Sequence, residues 1–358
     1  MSPFPTGILP MLAVSGTAFD SEEHTFEVKW DGVRAIAYKD GGRFWLETRN
    51  HKAALPRFPE LAELPAALAA RQAILDGEIV VFGADGRPDF DLVRARNAQK
   101  DPRAIALARN VAPALFIAFD CLFRDGTELM ARPLCERREH LRDVVRPAPV
   151  IAAPEGVRGQ GVAFFAATAA KGLEGMVAKD LRSPYLPGRR SPAWVKVRHV
   201  HGADCVVGGF VPKGTCHLKS LLLGLYDPAG ALQYVGHVGT GFSEAENRTL
   251  RERLDELRSA QSPFAAVPRA AARGAVWTHP RLVCSVEFLT LTGQGHLRHP
   301  TYRGLRFDKD PATCLVDTEL GGVRGARGHE PGQISGPAPG QAPGNAAGGA
   351  AASAATKR

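Results

Sequence analysis

The segment Glu27-Val28-Lys29-Trp30-Asp31-Gly32-Val33-Arg34 sets a lysine at the end of an apolar run and directly before an Asp-Gly turn. A lysine amine becomes a covalent nucleophile when burial or nearby cations favour its neutral form. Strand alternation puts Glu27 and Lys29 on one face. Taken alone, the four-residue pattern K-W-D-G fits a solvated lysine before a hairpin equally well. Three further segments bear on the choice. Asp76-Gly77-Glu78 interrupts an apolar stretch with two acids, which are costly to bury without a cation, a hydroxyl or a metal. Glu174-Gly175-Met176-Val177-Ala178-Lys179 carries an acid and a lysine in a similar setting. Trp194-Val195-Lys196-Val197-Arg198 aligns Lys196 and Arg198 on one strand face, a pair suited to phosphate. Inward cations and carboxylates on several strands describe a pocket for a nucleotide and Mg²⁺.

The elements that must position these groups alternate in type. Residues 26–30, 35–39, 43–49, 73–82, 114–123, 173–180 and 194–199 read as strands, with a hairpin turn at Asp40-Gly41-Gly42. Residues 58–72 read as an amphipathic helix, and 133–145 and 161–171 as two more. Residues 181–192 form a Pro/Gly/Arg loop. Strands mixed with hairpins and helices predict an α+β fold with antiparallel sheets. After His201 the texture changes to short strand-like runs at 204–211, 218–226, 232–239 and 281–292. One helix interrupts them at 243–259, with Ser243 and Glu246 as a capping box. This pattern fits a small barrel such as an OB-fold. The predicted organisation is a first domain over 1–200, a barrel domain over 201–318 and a disordered tail over 319–358. Residues 321–358 hold ten Gly, four Pro and no aromatic residue, too little apolar surface to offset ordering entropy.

The composition is that of a globular chain, with 44% hydrophobic and 23% charged residues among 358. Full disorder and a fibrous chain are excluded. No run of 18 apolar residues exists, so no membrane helix is predicted. The N-terminus lacks a basic region ahead of an apolar core, which predicts a cytoplasmic protein. Six cysteines without a C-x-x-C pair agree with reduced thiols. A net charge of +8 is compatible with a polyanionic partner.

The ordered series K-W-D-G, D-G-E, F-D-C-L, E-G-M-V-A-K and W-V-K-V-R resembles the motifs of the covalent nucleotidyltransferases, which include ATP-dependent DNA ligases, RNA ligases and mRNA capping enzymes. The intervening text is similar to bacterial ATP-dependent DNA ligases of the end-joining type. The runs Tyr185-Leu186-Pro187-Gly188-Arg189-Arg190-Ser191 and Leu297-Arg298-His299-Pro300-Thr301-Tyr302-Arg303-Gly304-Leu305-Arg306, with Asp308-Lys309, resemble the same group. The likeness covers about residues 10–318. It implies a nucleotidyltransferase domain built on antiparallel sheets and likened to ATP-grasp enzymes, followed by an OB-fold β-barrel domain.

The resemblance also implies roles. Lys29 would be the catalytic nucleophile, forming a phosphoramidate with AMP. Glu27 would lie near the adenine, and Phe119 would stack on it. Arg34 would sit near the nucleotide or a DNA 5′-phosphate, and Arg49 near ribose and phosphate. Glu78 would contact ribose and help place the metal, with Glu174 as the second metal-side acid. Arg190 and Lys196 would bind the ATP phosphates. Arg198 stands where the family often has lysine. Arg306 and Lys309 would orient the pyrophosphate leaving group. The implied cofactors are ATP and Mg²⁺ or Mn²⁺. The implied partners are nicked or broken duplex DNA and a Ku-like end-binding protein, with the chain itself a monomer. Competing readings are an RNA ligase or GTP-using capping enzyme, and a catalytically silent OB-type nucleic-acid-binding protein.

Overall fold

The structure, a computed structural model, describes residues 3–325. In chain order the first 200 residues form β1 (Leu12–Ser15), β2 (Ser21–Val28), β3 (Val33–Asp40), β4 (Arg43–Thr48) and β5 (Gln72–Val81). Helices α1 (Phe90–Ala98) and α2 (Pro102–Val111) follow, then β6 (Ala114–Arg124), β7 (Thr127–Glu128) and α3 (Leu134–Val144). Strands β8 (Ile151–Ala152) and β9 (Val157–Gly159), helix α4 (Gly161–Ala170), β10 (Gly175–Asp180) and β11 (Arg190–Arg198) complete this half. The second half holds β12 (His201–Lys213), β13 (His217–Tyr226), β14 (Leu232–Val238), α5 (Glu244–Glu256), β15 (Arg258–Ser259) and α6 (Arg269–Ala272). It ends with β16 (Val276–Phe288), β17 (Thr290–Leu291), β18 (Leu297–Arg298), β19 (Thr301–Arg306) and α7 (Val316–Gly325).

Two sheets build the first half. One has the order β1-β11-β10-β2-β9, the other β4-β3-β5-β6-β7 with β8 beside β6. Even-numbered positions of β3 and β5, among them Ile36, Tyr38 and Ile74, join Phe119, Tyr185 and Trp194 in a core between the sheets. The opposite face, with Ala35, Ala37, Leu75 and Ile79, packs on the segment after β4 and on α3. Among the described residues, no strand pairing crosses residue 200. The third sheet runs β14-β13-β12-β16, with β15 and β19 sharing the outer edge of β16. No pairing joins β14 to β15 or β19 among the described residues, so the strands do not close into the predicted barrel. Near Gly236 the β14 edge lies against Leu297 of the β17–β18 hairpin instead of a further strand of that sheet.

Two further expectations are corrected, and two helices lie where none was predicted. Residues 58–72 are not an amphipathic α-helix but a 3₁₀ segment, Pro59–Ala67, followed by β5. Pro65 lies inside it, and a proline there removes a donor and clashes with the preceding turn. Helices α1 and α2 lie in a stretch to which the sequence pattern assigned no element, and both are well capped. Asp89 accepts from the Asp91 and Leu92 amides, and Asp101 accepts from the Arg103 amide. Order does not stop at residue 318, because α7 continues to Gly325 with Leu320 and Val323 buried. The rest of the predicted tail lies outside the described residues.

Candidate active site

Strand register assembles Glu27, Lys196 and Arg198 in neighbouring rows of the first sheet. Across β2, β10 and β11 the rows are Thr25–Lys179–Trp194 and Glu27–Val177–Lys196, and Gly175 pairs with Arg198. The Lys29 amide donates to the Gly175 carbonyl at 2.9 Å, so Lys29 extends the third row beside Arg198. Gly175 has φ +147°, and a Cβ there would lie 2.1 Å from the Val197 carbonyl oxygen. The glycine of E-G-M is thus demanded by backbone packing. Gly32 of K-W-D-G answers a similar need, since its Cβ would meet the Ile79 carbonyl oxygen at 2.2 Å. These contacts fix where Lys29 leaves its strand.

Lys29 Nζ donates to Glu174 Oε2 at 2.5 Å, and Arg198 Nε lies 3.7 Å from Glu174 Oε1. Desolvation first, then the charges of Arg198, Arg190 and Lys29, holds the Lys196 ammonium below its ordinary range. Arg190 is exposed and donates to the Ala13 carbonyl. Four cations therefore act on one another at the end of this sheet, with one carboxylate among them. Glu78 enters from the facing sheet. Burial above all, with Asp76 and Glu174 adding, pushes its carboxyl up to about 8 against the pull of Arg34 and Lys29. Glu78 and Glu174, close enough for the charge of Glu174 to act on Glu78, are oxygen donors of a kind suited to a divalent cation.

The residues expected near the base are also together. Phe119 is the extra residue of a β-bulge, because Asp76 pairs with Asp120 and Gly77 with Ala118. A bulge re-aims a side chain, and here it sends Phe119 into the core between the sheets. The Arg34 guanidinium lies 4.4 Å from its ring centroid and the Lys179 ammonium 4.2 Å. Asp120, its neighbour in F-D-C-L, is structural and accepts two bonds from buried Arg137 at 2.8 and 2.9 Å. Glu27 is buried, accepting from Lys179 Nζ at 2.6 Å, with Arg138 at 3.4 Å. Arg34 is committed to Asp76 through two 2.6 Å bonds. Burial would lower its pKa, but the Asp76 carboxylate more than offsets this and holds it above the ordinary value. Arg49 is exposed next to it, its amide donating to the Arg34 carbonyl at 3.2 Å.

Arg306 and Lys309 are not brought to this pocket. Arg306 donates to Asp308 and Asp204, and Lys309 to Asp204 and Glu319, all in the second half. Asp76, Lys179 and Trp194, together with Asp31 and Arg298, lie within the quoted motifs but were given no role by the sequence reading. Asp31 of K-W-D-G is ion-paired with Arg298 of β18, whose guanidinium also lies 4.0 Å from the Phe90 ring centroid. The Asp91 carboxylate accepts from the Gly293 amide at 3.0 Å. These contacts join the second half to the first. A cleft of about 1290 Å³ lies between the halves, lined by Lys196, Arg198, Lys219, Arg273 and Arg303, with Glu287 among them.

Comparison with known proteins gives a consistent result. Residues 10–198 match the ATP dependent DNA ligase domain, and residues 214–309 match the ATP dependent DNA ligase C terminal region. The chain is 36% identical over 314 residues to the multifunctional non-homologous end joining DNA repair protein LigD of Mycobacterium tuberculosis, covering 86% of this chain and 40% of that protein. It thus spans about two fifths of the length of such relatives. DNA ligase C1 of Mycolicibacterium smegmatis is 33% identical over 328 residues, covering 87% of this chain and 93% of the relative. The solved structure of a mycobacterial DNA ligase D complexed with ATP and MES is 34% identical with a TM-score of 0.50, covering 86% and 98% of the two chains. With more than half of its length in the matched ligase domain, and a relative of nearly its own size, this chain belongs to the ATP-dependent DNA ligase family.

Proposed function

We propose that the chain is an ATP-dependent DNA ligase that seals 5′-phosphate/3′-hydroxyl breaks in duplex DNA in repair by end joining. The observation that carries this reading is the Lys29 amine held 2.5 Å from Glu174, in the row beside Arg198 and next to Lys196. ATP is the first substrate. Lys29 must lose a proton to attack, and Glu174 Oε2 is the acceptor within reach. A bond from Nζ to the α-phosphorus forms, the bond to the bridging oxygen breaks, and pyrophosphate leaves with the electron pair. Lys196, Arg198 and Arg190 supply the positive charge that meets the phosphates. AMP then passes from Lys29 to a DNA 5′-phosphate, and a 3′-hydroxyl displaces it.

Glu78 and Glu174 are the residues that would hold Mg²⁺ or Mn²⁺, which when bound supplies charge neutralisation at the phosphates. Glu27 and Phe119 form the base end of the pocket, which requires Arg34 or Lys179 to yield ring surface to adenine. Arg49 stands by the ribose side. Arg306 and Lys309 orient pyrophosphate after a rotation of the second half toward the pocket, a conformational step separate from chemistry. The basic cleft between the halves takes the duplex, whose phosphates attract such a surface. The chain works as a monomer on nicks or broken ends, with a Ku-like end-binding protein as partner. It works where the chromosome is, in the bacterial cytoplasm. Among the described residues, no helix is long and apolar enough to cross a membrane.

The test is incubation with α-labelled ATP or GTP, then with a labelled nicked duplex. The reading requires an AMP adduct on Lys29 and a sealed product with ATP. Adduct formation with GTP alone would favour a capping-type enzyme, and no adduct with either would overturn the proposal.

A further inference from the structure

The partners of Arg306 and Lys309 form a closed electrostatic set. Lys309 Nζ donates to Asp204 Oδ2 at 2.9 Å and to Glu319 Oε1 at 2.6 Å. Arg306 donates to Asp204 at 2.9 Å and to both Asp308 oxygens at 2.8 Å. Asp204 is held in turn by the Ser285 hydroxyl at 2.5 Å, and its own amide donates to Glu319 Oε2 at 2.8 Å. Glu319 comes from α7, whose Leu320 is fully buried, so its carboxylate is anchored by the core. Two cations thus face three carboxylates, and the group as a whole carries one negative charge. In that state it repels a polyphosphate. The donors of Arg306 and Lys309 reach phosphate oxygens only by exchanging carboxylates for them.

We propose that Glu319, with Asp204 and Asp308, is an internal competitor for pyrophosphate. These carboxylates occupy the two cations between turnovers, and their release gates the use of Arg306 and Lys309 in the adenylation step. This rests on the reading above that these cations engage pyrophosphate. Glu319 is a positioning residue, acting through Lys309. The gate limits how tightly pyrophosphate is held, which favours its departure once the lysyl-AMP bond has formed. A partly exposed ion pair is worth little, so the effect is modest, about twofold to fivefold in apparent affinity.

The assay is reversal of the enzyme–AMP adduct by inorganic pyrophosphate, with ATP release followed against pyrophosphate concentration. Glu319→Gln should lower the half-saturating pyrophosphate concentration about twofold to fivefold and leave sealing of a pre-adenylated nick unchanged. Asp308→Asn, at an exposed loop position with little bearing on folding, should act in the same direction through Arg306. Adding Lys309→Met to Glu319→Gln should cancel the gain. An unchanged or higher half-saturating concentration in both Glu319→Gln and Asp308→Asn would overturn the inference. A Lys309→Met variant with wild-type pyrophosphate dependence would overturn the role given to Lys309 itself.

Discussion

Asp76 ties the two sheets of the first half together, and its removal tests that account. It is fully buried in the middle of β5 and accepts three bonds at 2.6 Å, two from Arg34 and one from the Tyr185 hydroxyl. Tyr185 also accepts from the Met11 amide at 3.0 Å, so the same carboxylate anchors the N-terminal segment. Asp76→Ala leaves a guanidinium and a buried hydroxyl without their acceptor. Breaking a buried ion pair from one side costs about 3–5 kcal/mol. The Arg34 side chain retains 24% exposure, which lets water recover part of that and places the loss near the lower end, about 3 kcal/mol. With a urea m-value of about 2 kcal/mol/M, the unfolding midpoint should fall by roughly 1.5 M. Arg34→Met with Asp76→Leu removes both charges and leaves chiefly the stranded Tyr185 hydroxyl, a cost of about 1–3 kcal/mol. The double variant should therefore be no less stable than Asp76→Ala, although it changes one residue more. Urea titrations followed by tryptophan fluorescence and circular dichroism measure both. A loss under about 1 kcal/mol for Asp76→Ala would refute the reasoning. So would a double variant clearly weaker than the single.

Lys29→Ala should abolish labelling by α-labelled ATP while still sealing a nick that is already 5′-adenylated; retained labelling would remove Lys29 from its role. Glu78 is protonated in the fold up to about 8 but unfolds to an ordinary carboxyl near 4.5, so the fold binds the extra proton between these values. Stability contributed by this site should fall as pH rises from about 4.5 to 8 and level off above. Glu78→Gln should flatten that slope, and an identical slope in the variant, read by thermal melting across this range, would contradict the assignment. Leu320→Ala should cost about 2–5 kcal/mol through the cavity it leaves. Deletion of residues 321–358 should lower the melting temperature more than deletion of 326–358, because it takes Val323 and half of α7. Equal melting temperatures for the two truncations would show that α7 adds nothing.

The chemistry was legible in the sequence because it is written in short, local patterns. Lys29 before an Asp-Gly turn, paired acids around Gly77, and Lys196 and Arg198 two residues apart on a strand need no partner to be noticed. Strand alternation alone set Glu27 and Lys29 on one face; β2–β10 pairing places Glu27 opposite Val177, and the Lys29 amide continues the ladder to the Gly175 carbonyl two residues on. The capping box at Ser243 and Glu246 was equally local and is present in α5. What tertiary structure decided is who meets whom. Asp76 takes Arg34 and Tyr185 because β3 and β5 pair in one register and the loop after β10 folds back, and no spacing announces that. Lys179 lies on Phe119 because a bulge in β6 turns the ring inward, and bulges leave no mark in an apolar strand. Asp31 and Arg298 lie 267 positions apart and meet only when the two halves pack. The last lesson is α7. Its glycines read as a tail, yet Leu320 and Val323 find a core to bury in and Glu319 finds Lys309. Burial against a distant sheet outweighs low helix propensity, and sequence composition carries no information on that partner.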